Sequence, residues 1–470
     1  MNLKKYIGDK AFYKTLLAVM VPILVQNGIT NFISLLDNVM VGQVGTEQMS
    51  GVSIVNQLLF VFYLCIFGAI SGAGLFSAQF FGKGDHKGVR HTFRFKLYST
   101  FVLYALAMVI FLKVGDPLIR LYLHEGGETG NIELTMRYAK EYLAISLIGL
   151  FPYTVTQVYS GTLREIGHTL PPMTAGILGV LVNLSLNYIL IFGHFGAPAL
   201  GVEGAAIATV TARFAECAAV ILWAHTHTQK CEFLKGVYHS LYVPSALMKK
   251  IFLTGTPLLL NETVWAAGQA MLLQCYSVRG IAVVSAMNIT NTVFNTFSVL
   301  FMAVGSAVAI LLGHQLGAGE KQKARDSANK MIAFSLGMGI LTALLVALCA
   351  PVFPNIYNTT DEVRQIAVQL TLVSALTAPL HAYLHATYFT IRSGGKTVIT
   401  FLFDSGYVWA VSVVLAFTLS RFTALPAVTV YLIVQTADLL KAVLGKHLVA
   451  RGTWANDITK AKEAKTQTAL

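Results

Sequence analysis

The chain has 470 residues, of which 55% are hydrophobic and only 12% are charged, and its mean hydropathy is +0.64. A soluble domain could hardly carry such a composition on its surface, so the sequence predicts an integral membrane protein. The net charge of +12 does not indicate nucleic-acid binding, because the basic residues form no clustered face on a folded domain. The cysteines are scattered and odd in number, which favours neither a disulfide framework nor a CxxC metal site.

Apolar windows of roughly twenty residues, separated by charged or Gly/Pro-rich breaks, predict an all-α polytopic protein with twelve transmembrane helices. They cover residues 15–40, 50–78, 97–115, 137–161, 170–192, 203–225, 250–275, 283–312, 328–350, 364–390, 397–419 and 425–449. The predicted domains are an N-terminal lobe over 1–225, a cytoplasmic inter-lobe linker over 226–249, a C-terminal lobe over 250–450 and a cytoplasmic tail over 451–470.

Most lysine and arginine residues lie on one side of these helices. They are concentrated in the N-terminal tail, in segments 82–96, 226–250 and 313–330, and at the C-terminal end. By the positive-inside rule both termini are predicted to be cytoplasmic.

The first predicted helix carries a carboxylate, Asp37, and a stripe of polar side chains at helical spacing. The stripe contains Asn27, Thr30, Asn31, Ser34, Asp37 and Asn38. A polar stripe against lipid is costly, so it is expected to face a water-filled interior. We therefore predict that Gln26, Asn27, Asn31 and Ser34 line a substrate cavity.

The chain contains an internal repeat. A shift of 235 residues aligns, among others, Pro22 with Pro257, Asn56 with Asn291, Gly82 with Gly317 and Gly84 with Gly319 without a gap. Further along, a shift of 228 aligns Arg164 with Arg392 and Gly167 with Gly395. Because six is an even number, two six-helix repeats would be parallel, a plan that favours a secondary transporter with alternating access.

Helices 1 and 7, which correspond in the repeat, carry one carboxylate each, at different depths. Asp37 aligns with Leu272, whereas Glu262 aligns with Asn27. A carboxylate in such a site can exchange a proton near neutral pH or hold a cation, so the pair could couple organic-cation export to H⁺ or Na⁺ entry. The alternative is that Asp37 ends helix 1 at the outer interface and Glu262 is a satisfied buried group.

The chain resembles the multidrug and toxic compound extrusion (MATE) family of cation antiporters. The resemblance covers nearly the whole chain. It depends on NVMVGQVG after Asp37, on the paired turns AQFFGKGD and GHQLGAGE, on NLSLNYILIFG, on GVEGAAIATVTAR, and on the turns SGTLREIGHT and FTIRSGGKT. It implies two parallel six-helix repeats that form a V-shaped central cavity, in a protein of the bacterial inner (plasma) membrane; a monomer is expected.

The resemblance also implies residue roles. Asp37 would be the coupling carboxylate of the N-terminal lobe, and the positions of its partners correspond to Asn183, Asn187, Ala205 and Thr209, of which Ala205 is not polar. Many relatives have Asp in place of Asn187, and the loss of that charge weakens a sodium site. In the C-terminal lobe the corresponding coupling positions are Glu262 and His381, where one branch of the family has Asp in place of the histidine.

His381 and His385 lie four residues apart on one helix face. Without a third ligand, cavity lining is the favoured interpretation over a metal pair, and no metal or other cofactor is predicted. Since histidine changes charge near neutral pH, His381 favours proton coupling. The remaining cavity residues are predicted to be Tyr153, Asn288, Asn291, Asn295 and His385, although such stripes equally make interhelical hydrogen bonds.

Pro22 and Pro257 are expected to kink helices 1 and 7, because proline removes a helical hydrogen bond. The sequence shows no nucleophile–base constellation, Walker loop or zinc motif, so no enzymatic activity is predicted. The predicted function is a secondary active antiporter that exports small organic cations in exchange for H⁺ or Na⁺. A flippase for lipid-linked oligosaccharides or precursors is the alternative, although its anionic pyrophosphate substrate would favour cationic residues in the cavity. An uncoupled channel or a scaffold is a further alternative function.

Overall fold

The computed structural model describes residues 6–123, 131–357 and 359–460, apart from the side chains of residues 32–39. These residues form twelve long helices and no β-strand. The helices are α1 Lys10–Gly42, α2 Thr46–Gly82, α3 His86–Arg120, α4 Ile132–Glu165, α5 Leu170–Phe192, α6 Val202–Thr226, α7 Ser245–Ser277, α8 Ile281–Gly317, α9 Lys321–Cys349, α10 Asp361–Ser393, α11 Thr397–Phe422 and α12 Ala427–Arg451. The predicted all-α polytopic fold is thereby confirmed.

By length and composition, eleven of these helices could cross a membrane within the described residues. The exception is α7, whose hydropathy is lowered by polar side chains such as Asn261, Glu262 and Gln269. Most helices also extend beyond the predicted apolar windows. For example, α3 begins at His86 rather than at 97, because the polar segment before the apolar window continues the same helix.

The helix lengths repeat between the two halves of the chain. Helices α1 and α7 each have 33 residues, α2 and α8 each have 37, and α6 and α12 each have 25. The starts of α1, α2 and α3 differ by the predicted 235 residues from those of α7, α8 and α9. The duplication predicted from the sequence is therefore confirmed by the helix bounds.

The turns of the repeats also correspond. Gly84 after α2 and Gly319 after α8 have φ values of +77° and +81°. Gly167 after α4 and Gly395 after α10 have φ values of +86° and +77°. Glycine adopts this left-handed conformation without the steric penalty of a Cβ atom, which explains why these turn glycines match in the repeat.

The chain folds as two compact units. One, here called the C unit, comprises Met1–Met20, Gly74–Val89 and Lys250–Leu470; the other, the N unit, comprises Val21–Ala73 and Arg90–Lys249. The division within α1 falls beside Pro22, and both Pro22 and Pro257 lie inside helices that continue through them. The proposed kinks and the lobes over 1–225 and 250–450 stay predictions.

In the N unit, the segment predicted as a linker is fastened to α3. Arg94 donates hydrogen bonds to the carbonyl oxygens of Val237 at 2.8 Å, Gly236 at 2.9 Å and Tyr242 at 3.0 Å. Arg90 donates to the carbonyl oxygen of Phe233 at 3.1 Å. These bonds satisfy main-chain acceptors of an irregular segment that lacks helical partners.

In the C unit, the segment after α12 packs against the end of α2. The Nε2 of Gln79 donates to the carbonyl oxygens of Ser393 and Asn456, both at 3.0 Å, and its Oε1 accepts from the amide of Ile458 at 2.8 Å. Trp454, in the same segment, is fully buried. The part of the predicted tail up to residue 460 is therefore a packed element of the unit.

Candidate functional site

In the N unit, three of the residues predicted as partners of Asp37 form one chain of hydrogen bonds. Asn187 Nδ2 donates to Asn183 Oδ1 at 3.2 Å, and Asn183 Nδ2 donates to Thr209 Oγ1 at 3.2 Å. Both asparagines are buried between α5 and α6, where hydrogen-bonding side chains avoid the cost of isolated burial. The structure thus brings Asn183, Asn187 and Thr209 together. Their contacts are made by amide and hydroxyl groups.

Asp37 lies on α1, as predicted, but its side chain is outside the described residues, and so is that of Ser34. Among the other predicted cavity residues of α1, Gln26 and Asn27 are half-buried and Asn31 is exposed. Gln26 Oε1 is buried without a hydrogen-bond partner among the described residues. The roles of these side chains in coupling and in substrate binding stay predictions.

Tyr153, a predicted cavity residue on α4, contacts a cation of the protein itself. The guanidinium of Arg213 lies 5.1 Å from the centre of the Tyr153 ring, and the Tyr63 ring packs 4.4 Å from it. Arg213 also pairs with Glu216 at 3.4 Å, and the two residues lie one helical turn apart on α6.

In the C unit, the centre of the polar cluster is Asn261 on α7, a residue that sequence reasoning did not select. Its Nδ2 donates to Tyr388 OH at 3.2 Å and to Asp404 Oδ2 at 3.1 Å. Its Oδ1 accepts from the hydroxyl of Ser405 at 2.7 Å and from the amide of Ser405 at 3.3 Å. Asn261 therefore joins α7, α10 and α11 while being almost fully buried.

Asp404 on α11 pairs with Lys441 on α12. Lys441 Nζ donates to Asp404 Oδ1 at 2.9 Å, and the ammonium lies 5.3 Å from the centre of the Phe403 ring and 5.8 Å from that of Tyr407. Lys441 is 7% exposed. A buried charge of this kind is tolerated only when it is paired and hydrogen-bonded, and here both conditions hold.

Asp404 lies in a π-helical stretch of α11, Leu402–Gly406, which is followed by a second one, Val408–Val413. A π-helical turn contains an additional residue relative to an α-helical turn, and such turns are frequent at functional sites. Here the first stretch contains Phe403, Asp404 and Ser405, which all join the cluster around Asn261 and Lys441.

Glu262, the carboxylate predicted on α7, follows Asn261 directly and is half-buried. Its carboxylate interacts electrostatically with Arg392, which attracts it, and with Asp404, which repels it. Arg392 in turn donates to Tyr388 OH at 3.3 Å and lies over the rings of Tyr388 and Phe389. The predicted carboxylate thus interacts electrostatically with a second carboxylate, on α11, and with one cation, on α10.

The two histidines of α10 have different surroundings. His381 makes a hydrogen bond of 3.1 Å with Gln435 on α12. The centre of its ring lies 5.8 Å from that of Phe294, in an edge-to-face arrangement. His385 packs against Phe301 and Phe389, and a Cβ atom on Gly305 would lie 2.4 Å from its Nδ1. His385 is therefore packed closely against α8, with one aromatic neighbour on α8 and one on its own helix.

The predicted stripe on α8 is not covered by other described parts of the protein. Asn288, Asn291 and Asn295 are all exposed, although they belong to a helix with one of the highest hydropathies in the chain. Asn56, the repeat mate of Asn291, is likewise exposed on α2 and accepts a hydrogen bond from Tyr142 OH at 3.4 Å. Corresponding positions of the two repeats therefore expose an amide.

Sequence reasoning missed Asn261, Asp404, Lys441 and Gln435. For Asp404 and Lys441 a signal was present, because each is an ionisable residue inside an apolar segment and such residues mark functional sites by default. Asn261 and Gln435 carried no comparable signal. Their importance comes from the packing of four helices, α7, α10, α11 and α12.

The fold and these sites define a polytopic helical membrane protein built from two homologous halves, each with polar and ionisable side chains inside its helices. The MatE family model matches residues 22–189 and 258–420, and the chain belongs to this family.

Known relatives match over most of the chain. A protein of Thermotoga maritima described as probable multidrug resistance protein NorM is 24% identical over 457 residues, covering 96% of this chain and 95% of the relative. The multidrug resistance protein MdtK of Edwardsiella ictaluri is 26% identical over 367 residues, covering 77% and 78%. A solved structure of a multidrug resistance MATE family transporter of the MOP superfamily, in an outward-facing conformation, has a TM-score of 0.84 at 17% identity, and the match covers 96% of this chain and 98% of that one.

Proposed function

We propose that this protein is a secondary active antiporter that exports small organic cations across the inner membrane in exchange for H⁺ or Na⁺, by alternating access. The main structural support is the exposed amide stripe of Asn288, Asn291 and Asn295 on α8. Amides on a spanning helix would cost free energy against lipid, because hydrocarbon offers no hydrogen-bond partners. A water-lined route for a polar solute is the arrangement that removes this cost.

The substrate class is inferred from the relatives and from the ring chemistry. The relatives from Thermotoga and Edwardsiella are both described as multidrug resistance proteins. In this chain, Arg213 against Tyr153 and Lys441 against Phe403 show that aromatic side chains already bind cations within the helices. The same chemistry would suit flat organic cations.

Coupling is assigned to Asp37 with Asn183, Asn187 and Thr209 in the N unit, and to Glu262 with His381 in the C unit. The hydrogen-bond chain of Asn187, Asn183 and Thr209 supports one polar site between α5 and α6. These three described residues carry no carboxylate, so proton exchange on Asp37 is favoured over strong sodium binding, which depends on charged oxygen ligands. Both termini are assigned to the cytoplasm by the distribution of Lys and Arg.

A flippase for pyrophosphate-linked lipids is less well supported by the charges of the described helices. Arg213 pairs with Glu216, Lys441 pairs with Asp404, and Lys96 pairs with Glu165. A pyrophosphate would therefore compete with a protein carboxylate for each of these cations. The exporter hypothesis does not require cations that are free to bind an anionic substrate.

The test is transport of ethidium or tetraphenylphosphonium in proteoliposomes with either an imposed pH gradient or an imposed Na⁺ gradient. Wild type, Asp37→Asn and a matched control, Asp326→Asn, are compared, since Asp326 is an exposed carboxylate near the start of α9. Transport driven by the pH gradient, lost in Asp37→Asn and kept in Asp326→Asn, is the expected result.

Transport driven only by the Na⁺ gradient would support the exporter hypothesis, with Na⁺ rather than H⁺ as the coupling ion. Absence of transport under both gradients in wild type would overturn the proposal and favour the flippase. An equal loss of transport in Asp37→Asn and Asp326→Asn would contradict a specific role of Asp37 in coupling.

A further inference from the structure

We propose that Asp404, Asn261, Phe403 and Tyr407 form a binding site for a primary ammonium group, and that the side chain of Lys441 occupies this site as a built-in cation. The site lies where α7, α11 and α12 meet in the C unit. Its residues differ from those to which cation coupling is assigned above, although Asp404 interacts electrostatically with Glu262, and the proposal does not depend on the transport activity.

The ammonium group of Lys441 makes the same kinds of contact by which proteins bind an ammonium ligand. One carboxylate oxygen, Asp404 Oδ1, accepts its proton at 2.9 Å. Two aromatic rings, Phe403 and Tyr407, lie 5.3 and 5.8 Å from Nζ, within the range of a cation–π interaction. A carboxylate combined with aromatic faces recognises ammonium ions, whereas Na⁺ requires several oxygen ligands.

The carboxylate is positioned independently of the lysine. Its other oxygen, Asp404 Oδ2, accepts from Asn261 Nδ2 at 3.1 Å. Asn261 is itself fixed by the hydroxyl and amide of Ser405 and by Tyr388. Asp404 is therefore oriented by α7 and by its own helix, so we expect the acceptor geometry to persist when the lysine side chain is removed.

Burial explains why Lys441 stays in place. The lysine side chain is 8% exposed and that of Asp404 is 20% exposed. Loss of either charge would leave the other unpaired in a poorly solvated place, which is far more costly than the loss of a surface ion pair. The tethered ammonium thus supplies the positive charge that Asp404 needs in this place.

Chemical rescue tests the site directly. Lys441→Ala deletes the atoms beyond Cβ, and the deleted group corresponds to n-propylammonium. The thermal unfolding midpoint of the purified variant, in detergent, is measured against n-propylammonium chloride, with NaCl and 1-propanol as matched additives. We expect a saturable rise of about 2 °C or more with n-propylammonium alone, because a ligand that binds only the folded state stabilises it.

Three controls accompany this measurement. Wild type should show no rise, since its site is occupied. Lys441→Met should show none, because a neutral side chain of similar length fills the space. Lys441→Ala combined with Asp404→Asn should show none, because the acceptor charge is gone.

An equal rise with NaCl, an equal rise in wild type, or no rise in folded Lys441→Ala would each overturn the proposal. If Lys441→Ala fails to fold alone, it is purified in n-propylammonium chloride and in NaCl. Folded protein only with n-propylammonium supports the site. Failure in both salts, while Lys441→Met with Asp404→Asn folds, contradicts it.

Discussion

Gly82 and Gly317, which are repeat mates, each lie against the main chain of the other's helix within the C unit. A Cβ atom on Gly82 would lie 2.0 Å from the carbonyl oxygen of His314, and a Cβ atom on Gly317 would lie 1.9 Å from that of Gln79. Gln79 and His314 are themselves separated by the 235-residue shift of the repeat. The ends of α2 and α8 therefore cross in a pseudo-symmetric contact that only glycine permits.

Gly82→Ala and Gly317→Ala are each predicted to destabilise the protein by about 1–3 kcal/mol, because the added methyl group meets backbone that cannot move aside cheaply. Thermal unfolding of the purified variants measures the effect. Gly337→Ala on α9 is the matched control, since nothing lies within 4 Å of its Cβ position. Equal stability of all three variants would show that the helices do not cross this closely.

Asn261→Leu is predicted to lower the free energy of unfolding by about 1–3 kcal/mol, because Asp404 and Ser405 lose their buried partner. The exposed Asn288→Leu on α8 is the control for an asparagine in a long helix. Unfolding curves of the two variants should differ clearly. A similar small effect in both would mean that Asn261 holds no significant part of the cluster.

Gln79→Leu is predicted to release the segment after α12, because this side chain satisfies two carbonyl groups and one amide there. Loss of about 1 kcal/mol corresponds to roughly five-fold more frequent local opening. The rate of trypsin cleavage at Arg451 measures the opening. Gln57→Leu, at an exposed glutamine of α2, should leave the rate unchanged.

His168 predicts a pH dependence of stability. Burial lowers the pKa of this imidazole, which lies in the turn between α4 and α5, below its ordinary value of 6.5. The unfolded chain therefore binds more protons than the folded chain as the pH falls through that value, and stability decreases with acidification. In His168→Gln the unfolding midpoint should fall less between about pH 7.5 and pH 5.5; an unchanged slope would contradict this.

Cys231 is predicted to resist thiol reagents in the folded protein. It is fully buried, and burial raises the pKa of its thiol from 9.0 to about 11. Since the thiolate is the reactive form, labelling by N-ethylmaleimide at pH 7.5 should be at least about 100-fold slower than after denaturation. A variant in which Cys231 is the single cysteine isolates the measurement, and rapid labelling would show that the segment opens.

The sequence predicted the architecture well, because apolar windows and matched Pro, Gly and Asn residues report on spanning length and duplication directly. The equal lengths of α1 and α7, and of α2 and α8, follow the same 235-residue shift. The family resemblance grouped Asn183, Asn187 and Thr209, which the structure joins by hydrogen bonds.

The cluster around Asp404 could not be predicted in the same way. Lys441, Asp404 and Asn261 belong to three helices, and no spacing in one sequence says which faces of α7, α11 and α12 meet. The π-helical stretch around Asp404 adds to the difficulty, because it changes the side-chain register that a regular α-helix would give. Charges within apolar segments could be recognised from the sequence, but their pairing could not.

The hydrogen bonds of Gln79 also constrain biosynthesis. They connect this residue of α2 to Asn456 and Ile458, which lie 377 and 379 positions further along the chain. During translation Ser393 is the first of the three partners to be made, and the hydrogen bonds of Gln79 are complete only when nearly the whole polypeptide exists. A nascent chain arrested before these residues would therefore have a C unit in which Gln79 lacks two of its hydrogen bonds.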